Sequence, residues 1–105
     1  MITTHVLDTG RGKPASHIPV ELHRFVTGEG WRSVGYGVTS PDGRIEDFGE
    51  SHVAALYRLT FDVAAQTPGA FFPSISITFE VRDPFERYHI PLLLGPFSYS
   101  TYRGS

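Results

Sequence analysis

Proline and glycine interrupt this sequence so often that it leaves no room for a long helix. The chain contains 11 glycines and 8 prolines, and the runs between them are rich in valine, isoleucine, threonine, phenylalanine and tyrosine. Proline removes a backbone donor and glycine favours turns, so both residues end regular elements. Short β-forming runs between frequent turn signals are typical of an antiparallel β-sandwich or barrel. The sequence therefore predicts an all-β domain of about seven or eight strands.

The alternation of apolar and polar side chains sets the bounds of the predicted strands. It is clearest from Ser74 to Val81, where every second side chain is apolar and lies on one face of a strand. The predicted strands cover residues 2–9, 20–26, 31–39, 45–48, 55–63, 74–81, 88–94 and 97–103. The last two are joined around Gly95 and Pro96, which predicts a hairpin. The one helix candidate, residues 61–66, is too short to carry a helical fold.

Composition limits the partners and the chemistry of the chain. Its 105 residues, 40% of them hydrophobic, predict a single domain over residues 1–105 with one core. The absence of cysteine excludes disulfides, thiolate zinc sites and cysteine catalysis. Nine basic residues against eleven acidic ones give no basic excess for nucleic acid, and no apolar run approaches the roughly 20 residues of a membrane span. No secretory leader pattern opens the sequence, so we expect a cytoplasmic protein, with peroxisome and periplasm left open.

Histidines are the first candidates for chemistry, because the sequence holds five of them. Three fall in predicted loops or on solvent faces, namely His17, His23 and His52. The other two, His5 and His89, lie within predicted strands. A single histidine in a strand is more often a paired surface or core residue than a functional group. No pair has the spacing of a local metal motif. Two distant histidines and a carboxylate could still hold a metal, but that signal is weak, and we expect no metal.

Strand alternation predicts which polar side chains share a face. His5 shares its face with Thr3, and His89 shares its face with Pro91. If these faces meet the serine and tyrosine side chains of the C-terminal segment, the resulting patch is too polar for a core, and its groups must be paired or hydrated. Such a patch would suit the polarisation of water and the capture of a planar polar ligand.

Arg44 directly follows the turn sequence Pro41-Asp42-Gly43. Proline fixes one backbone angle of such a turn and glycine accepts a positive φ. An arginine beside a turn is most often simply solvated. Its functional interpretation is a two-pronged donor to carbonyl oxygens or a delocalised anion.

Several segments together resemble the transthyretin-like family. They are HVLDTGRGKPA at residues 5–15, TSPDGR at 39–44, FFP at 71–73, YHIPLLL at 88–94 and YRGS at 102–105. Their order along the chain agrees with the family, and the resemblance covers essentially the whole sequence. The terminal YRGS resembles the mark that separates 5-hydroxyisourate hydrolases from hormone-carrying transthyretins.

The resemblance implies a two-sheet antiparallel β-sandwich with one short helix, assembled as a homotetramer, a dimer of dimers with active sites at the central interface. The implied reaction is the hydrolytic ring opening of 5-hydroxyisourate, with no metal or cofactor. Where this chain has His5, Arg44 and His89, the hormone carriers have other residues, which line an apolar channel. The resemblance implies catalytic roles for His5, Arg44, His89 and Ser105, and substrate binding by His5, Arg44, Tyr102 and Arg103. Which imidazole is the base stays open between His5 and His89.

Two other functions remain open at this point. The first is a non-catalytic carrier of a small planar ligand, which would need an apolar channel rather than histidine and arginine. The second is a plain interaction module, which would not need to assemble. A serine–histidine–aspartate hydrolase is weakly supported, because the sequence has no GxSxG turn.

Overall fold

Two β-sheets packed face to face form the computed structural model, which describes residues 1–49 and 53–104. Within these residues lie nine strands: β1 (Ile2–Asp8), β2 (Lys13–Pro14), β3 (Pro19–Val26), β4 (Gly30–Val38), β5 (Arg44–Ile45), β6 (Ala55–Asp62), β7 (Ser74–Val81), β8 (Tyr88–Leu94) and β9 (Tyr99–Thr101). A single 3-10 turn, Val63–Ala65, follows β6. No helix in the described ranges is long and apolar enough to cross a membrane.

The strands divide into a first sheet in the order β2-β1-β8-β9 and a second sheet in the order β4-β3-β6-β7. The short strand β5 also pairs with β1 in the first sheet. This architecture confirms the predicted all-β sandwich, and β8 and β9 form the predicted hairpin. One pair departs from the antiparallel prediction, because β1 and β8 run parallel. No tight turn joins these two strands, so the connection does not force them to be antiparallel.

Alternating apolar side chains from both sheets build the core. Val6 of β1, Leu22 of β3, Leu59 of β6 and Leu92 of β8 are completely buried. Burying a side chain of this size stabilises the fold by about 1.5–3 kcal/mol. Since one parity of each strand is fixed inside in this way, the other parity is fixed outside. The outward-facing residues include His5 on β1 and His89 on β8.

The shortest elements differ from the sequence predictions. Strands β7 and β8 agree with the predicted bounds residue for residue, whereas predicted strand 45–48 reduces to Arg44–Ile45 and predicted strand 97–103 to Tyr99–Thr101. The predicted helix 61–66 is only the turn Val63–Ala65, where the Asp62 carboxylate accepts a hydrogen bond from the Ala65 backbone N–H. Strand β2 was not predicted. Two paired residues show no periodicity, so such strands leave no sequence pattern.

Candidate functional site

The outward face of the first sheet brings His5 and His89 together. In the parallel pair of β1 and β8, Thr3 lies opposite His89 and His5 lies opposite Pro91. Facing residues of neighbouring strands point to the same side of a sheet. The two histidines are therefore diagonal neighbours on one outward surface. The sequence analysis required the faces of His5 and His89 to meet, and in the structure they do.

Arg44 joins the same surface through β5. Its backbone lies directly opposite His5 in the antiparallel pair of β1 and β5, and its side chain is exposed. Among the described residues, no carboxylate lies within ion-pair distance of the Arg44 guanidinium. A guanidinium can donate two parallel hydrogen bonds to oxygen atoms of one planar partner.

A tight turn holds Arg44 in place and also fixes His5. The Gly43 N–H donates to the Ser40 carbonyl at 2.8 Å, and the Val6 N–H donates to the Gly43 carbonyl at 2.7 Å. Gly43 has φ +78°, and a Cβ there would lie 2.4 Å from the carbonyl oxygen of Val6, so only glycine fits. The Asp42 carbonyl then lies 2.8 Å from His5 Nε2 and accepts its hydrogen bond.

His89 is held on two sides. Its Nδ1 lies 2.8 Å from the hydroxyl oxygen of Thr3, which is only 1% exposed. On the other side the Gly104 N–H donates to the His89 carbonyl at 2.8 Å. A Cβ on Gly104 would lie 2.6 Å from Cδ2 of the His89 ring. The C-terminal segment can therefore cross the imidazole only because residue 104 is a glycine.

The surroundings of His89 favour its neutral form. Partial burial lowers the pKa of His89 below its ordinary value of 6.5, and the nearby Arg87, Arg44 and His5 side chains lower that pKa further. The Glu46 carboxylate acts in the opposite direction. Burial and like charge both disfavour an imidazolium. At neutral pH this imidazole is therefore uncharged and has one N–H donor and one lone pair.

The tail residues are divided between the two faces of the first sheet. The pairs Leu93–Ser100 and His89–Gly104 place the even-numbered tail positions, including the exposed Tyr102, on the outward parity. Ser105, the remaining predicted catalytic residue, lies outside the described residues.

Arg103 lies on the opposite parity. Its guanidinium is 4.5 Å from the ring centroid of Tyr88, a core residue, and donates at 3.3 Å to both the Glu86 carboxylate and the Arg87 carbonyl. Its side chain therefore anchors the tail rather than facing His89. Binding of substrate by Arg103 stays a prediction, and it would fall to the Arg103 backbone.

We call His5 and Arg44 the first histidine–arginine pair. A second such pair lies on the outer face of the second sheet. His23 of β3 faces Arg58 of β6. His23 Nε2 is 3.3 Å from the Glu21 carboxylate, and the Arg58 guanidinium lies 4.4 Å from the ring centroid of Trp31. The His23 side chain is only 19% exposed, so it is more buried than the predicted solvent-face position. We call these four residues the Trp31 cluster.

Three groups that contact His5 or His89 were not singled out as functional from the sequence. They are the Thr3 hydroxyl, the Asp42 carbonyl and the Gly104 backbone. The turn motif and the terminal glycine were visible as signals, but their contacts depend on pairing between distant strands. His52 lies outside the described residues. In the ranges 1–49 and 53–104, no three histidine, aspartate or glutamate residues are placed to hold a metal ion.

The sandwich of these two sheets, in this strand order, defines a transthyretin-like domain. The chain belongs to the HIUase/Transthyretin family, whose sequence pattern matches residues 2–104. This match confirms the resemblance inferred from the sequence motifs. The family description includes hydrolases and transthyretins alike, so the fold alone does not separate the two functions.

Relatives similar over their full length carry the name of the hydrolase. The chain is 44% identical over 115 residues to the 5-hydroxyisourate hydrolase of Deinococcus radiodurans, covering 99% of this chain and 95% of that protein. The solved 5-hydroxyisourate hydrolase of Klebsiella pneumoniae superposes with a TM-score of 0.82 at 33% identity, covering 99% and 97% of the two chains.

A longer plant relative contains a similar region. The chain is 46% identical over 119 residues to the uric acid degradation bifunctional protein TTL of Arabidopsis thaliana, which covers 99% of this chain and 37% of that protein. The chain thus spans just over a third of the length of this relative. The similarity therefore concerns one part of the bifunctional protein.

Proposed function

We propose that this protein hydrolyses 5-hydroxyisourate in the degradation of urate. The observation that carries the proposal is the convergence of His5, Arg44 and His89 on one outward face of the first sheet. The hydrolase names of the full-length relatives support it. An apolar carrier channel is not favoured by a surface with two imidazoles and a guanidinium.

The reaction adds one water molecule across a lactam-type C–N bond of the six-membered ring. The water oxygen bonds to the carbonyl carbon, the C–N bond breaks, and the ring nitrogen takes a proton. The product is 2-oxo-4-hydroxy-4-carboxy-5-ureidoimidazoline. The imidazoles of His5 and His89 assist the attack of water, and a general base of this kind typically contributes about 10²–10⁴-fold.

The substrate is a planar, oxygen-rich molecule, and the remaining groups suit it. Arg44 donates to the substrate oxygens and offsets the charge that develops on the attacked carbonyl. Tyr102 and the Arg103 backbone position the ring, and Ser105 adds a hydrogen bond from the tail. The lowered pKa of His89 supports this scheme, because an uncharged imidazole is present at neutral pH.

We further propose that the active form is a homotetramer, a dimer of dimers whose first sheets enclose the site. Aromatic side chains near the edge strand β9 support this assembly, since Phe71 and Phe97 are 64% and 76% exposed and their rings lie 5.8 Å apart. Exposed apolar clusters mark association surfaces. Light scattering on the purified protein tests the assembly, and a monomer that retains full activity would exclude it.

An assay of ring opening tests the function. The wild-type protein should accelerate the ultraviolet decay of freshly generated 5-hydroxyisourate over its spontaneous rate. His89→Ala and Arg44→Glu should each remove most of this acceleration while leaving the assembly intact. His23→Ala is the matched control, because His23 lies on the second sheet. Tight binding without turnover would instead indicate a carrier, and full activity in both site variants would refute the site.

A further inference from the structure

We propose that the two imidazoles present different nitrogens to the substrate, so that His5 is the general base and His89 is a hydrogen-bond donor. The same contacts make Thr3 the positioning residue of His89. This inference rests on the proposed function. It assigns the two roles that the sequence leaves open.

The backbone turn decides the state of His5. Its Nε2 lies 2.8 Å from the Asp42 carbonyl oxygen, and a carbonyl oxygen can only accept a hydrogen bond. Nε2 must therefore carry a proton. In the neutral ring Nδ1 then holds the lone pair, and it is the only atom of His5 that can take a proton from water.

The buried hydroxyl decides the state of His89. Thr3 Oγ1 lies 2.8 Å from Nδ1 of His89, and in the described part of the chain this hydroxyl has no other hydrogen-bond partner. If Nδ1 carried the proton, the hydroxyl hydrogen of Thr3 would be buried without an acceptor, which is unfavourable. The Thr3 hydroxyl therefore donates to Nδ1, and Nε2 of His89 carries the proton.

Within residues 1–49 and 53–104, no group accepts a hydrogen bond from this N–H donor. Thr3 occupies the Nδ1 side, and Gly104 lies against Cδ2. The ring edge that contains Nε2 is directed away from Thr3. The nearby groups Arg87, Arg44 and His5, together with burial, keep the ring neutral despite Glu46, so His89 acts as a donor without first gaining a charge.

The two roles give a balanced reaction. As the water oxygen bonds to the carbonyl carbon, His5 Nδ1 takes one proton from the water. The N–H of His89 and the guanidinium of Arg44 donate to the carbonyl oxygen while it is negatively charged. When the C–N bond breaks, His5 returns the proton to the ring nitrogen. His89 keeps its proton throughout.

Glutamine substitutions separate the two roles, because a glutamine amide can donate a hydrogen bond but cannot take a proton at neutral pH. His89→Gln should retain clearly more activity than His89→Ala. His5→Gln should be no more active than His5→Ala, with losses in the range of about 10²–10⁴-fold for a missing base. The reverse pattern would overturn the assignment.

Thr3 is tested by a matched pair of substitutions. Thr3→Val keeps the shape but removes the hydroxyl, and it should lower kcat about tenfold with little change in KM, less than the 10²–10³-fold typical of losing a donor outright. Thr3→Ser keeps the hydroxyl and should restore most of kcat. Equal kcat in Thr3→Val and wild type would refute the positioning role.

Nitrogen NMR of the whole protein, labelled at histidine, reads the protonation states without substrate. At a pH where both rings are neutral, His5 and His89 should each carry the proton on Nε2, and Thr3→Val should shift His89 toward the Nδ1–H form. A proton on Nδ1 of either ring in the wild type overturns the inference even if the protein is active. Absence of ring-opening activity would instead refute the proposed function, while the spectra still decide the protonation states.

Discussion

Each sheet carries one histidine directly across from one arginine on its outer side, and the two pairs differ in what surrounds them. His5 and Arg44 on the first sheet are held by backbone contacts of β1 and β5. His23 and Arg58 on the second sheet are bound to side chains of their own cluster. The same two residue types are thus held by the backbone in one place and by a side-chain cluster in the other.

The comparison shows that the partners of a side chain, rather than its type, decide whether it can do chemistry. A backbone carbonyl fixes the orientation of His5 through one ring nitrogen, Nε2, without neutralising a charge. On the second sheet the Glu21 carboxylate contacts His23 Nε2 and the Arg58 guanidinium lies over the Trp31 ring. Among the described residues, His23 Nδ1 and Arg58 Nε are buried without a hydrogen-bond partner. We therefore expect the Trp31 cluster to contribute to stability and the first pair to contribute to the proposed activity.

The largest expected effect comes from the turn that holds the first pair. Gly43→Ala forces a side chain into a positive φ and against the Val6 carbonyl. We expect a loss of about 3 kcal/mol in the free energy of unfolding and a fall of at least about 10²-fold in kcat, because Arg44 and the Asp42 carbonyl are displaced. Denaturant titration and the ring-opening assay measure both quantities.

Gly28→Ala is the control for this substitution. Gly28 also has a positive φ, +83°, but a Cβ there meets no atom within 4 Å. It should lose only the backbone strain, about 1–2 kcal/mol, and keep kcat. If Gly43→Ala were as active as Gly28→Ala, the turn would not be what positions the first pair.

On the second sheet we expect a smaller effect, which lowers the stability of the fold but not kcat. Arg58→Ala removes the contact with Trp31 and the packing of the aliphatic stem, so the free energy of unfolding should fall by about 1–2 kcal/mol. Arg58→Met keeps the stem and should fall less. Thermal unfolding measures the stability of both variants. The ring-opening assay measures kcat, which should equal that of the wild type in both. A loss of kcat at unchanged stability would contradict the division between the two pairs.

The smallest effect concerns the titration of His89. Because its pKa is lower in the folded protein than the ordinary 6.5, the unfolded chain binds the proton more readily. The contribution of His89 to stability is therefore fully present above about pH 6.5 and is lost as the pH falls toward the folded pKa. Arg87→Gln should raise the pKa of His89 and Glu46→Gln should lower it, as followed by NMR titration. A folded pKa at or above 6.5 would contradict this environment.

The sequence predicts the long elements well and the short ones poorly. Strand β7 is recognisable because eight consecutive residues alternate in polarity. Strands β2 and β5 have two residues each, so they exist only through their pairing with β1. The parallel direction of β1 and β8 could not be predicted either, because no short turn joins these two strands.

The same distinction applies to the site. Alternation along β1 and β8 correctly placed the face of each histidine. The contacts themselves join distant parts of the chain: Thr3 and His89 are 86 positions apart in the sequence, and His5 and Asp42 are 37 positions apart. Such pairings cannot be predicted from local alternation. The opposite parity of Arg103 was visible in the sequence, since it directly follows Tyr102. That its side chain lies on the other face from His89 could therefore have been anticipated, whereas its contact with Tyr88 could not.

The parallel pairing of β1 with β8 has a consequence for the order of folding. While the ribosome synthesises the chain, β1 emerges before the other described strands, and its parallel neighbour β8 lies more than 80 residues later. Contacts between such distant segments form slowly. A nascent chain can assemble the second sheet earlier, because β3, β4, β6 and β7 are all complete before β8. The two imidazoles therefore meet only after β8 has been synthesised, later than every strand of the second sheet.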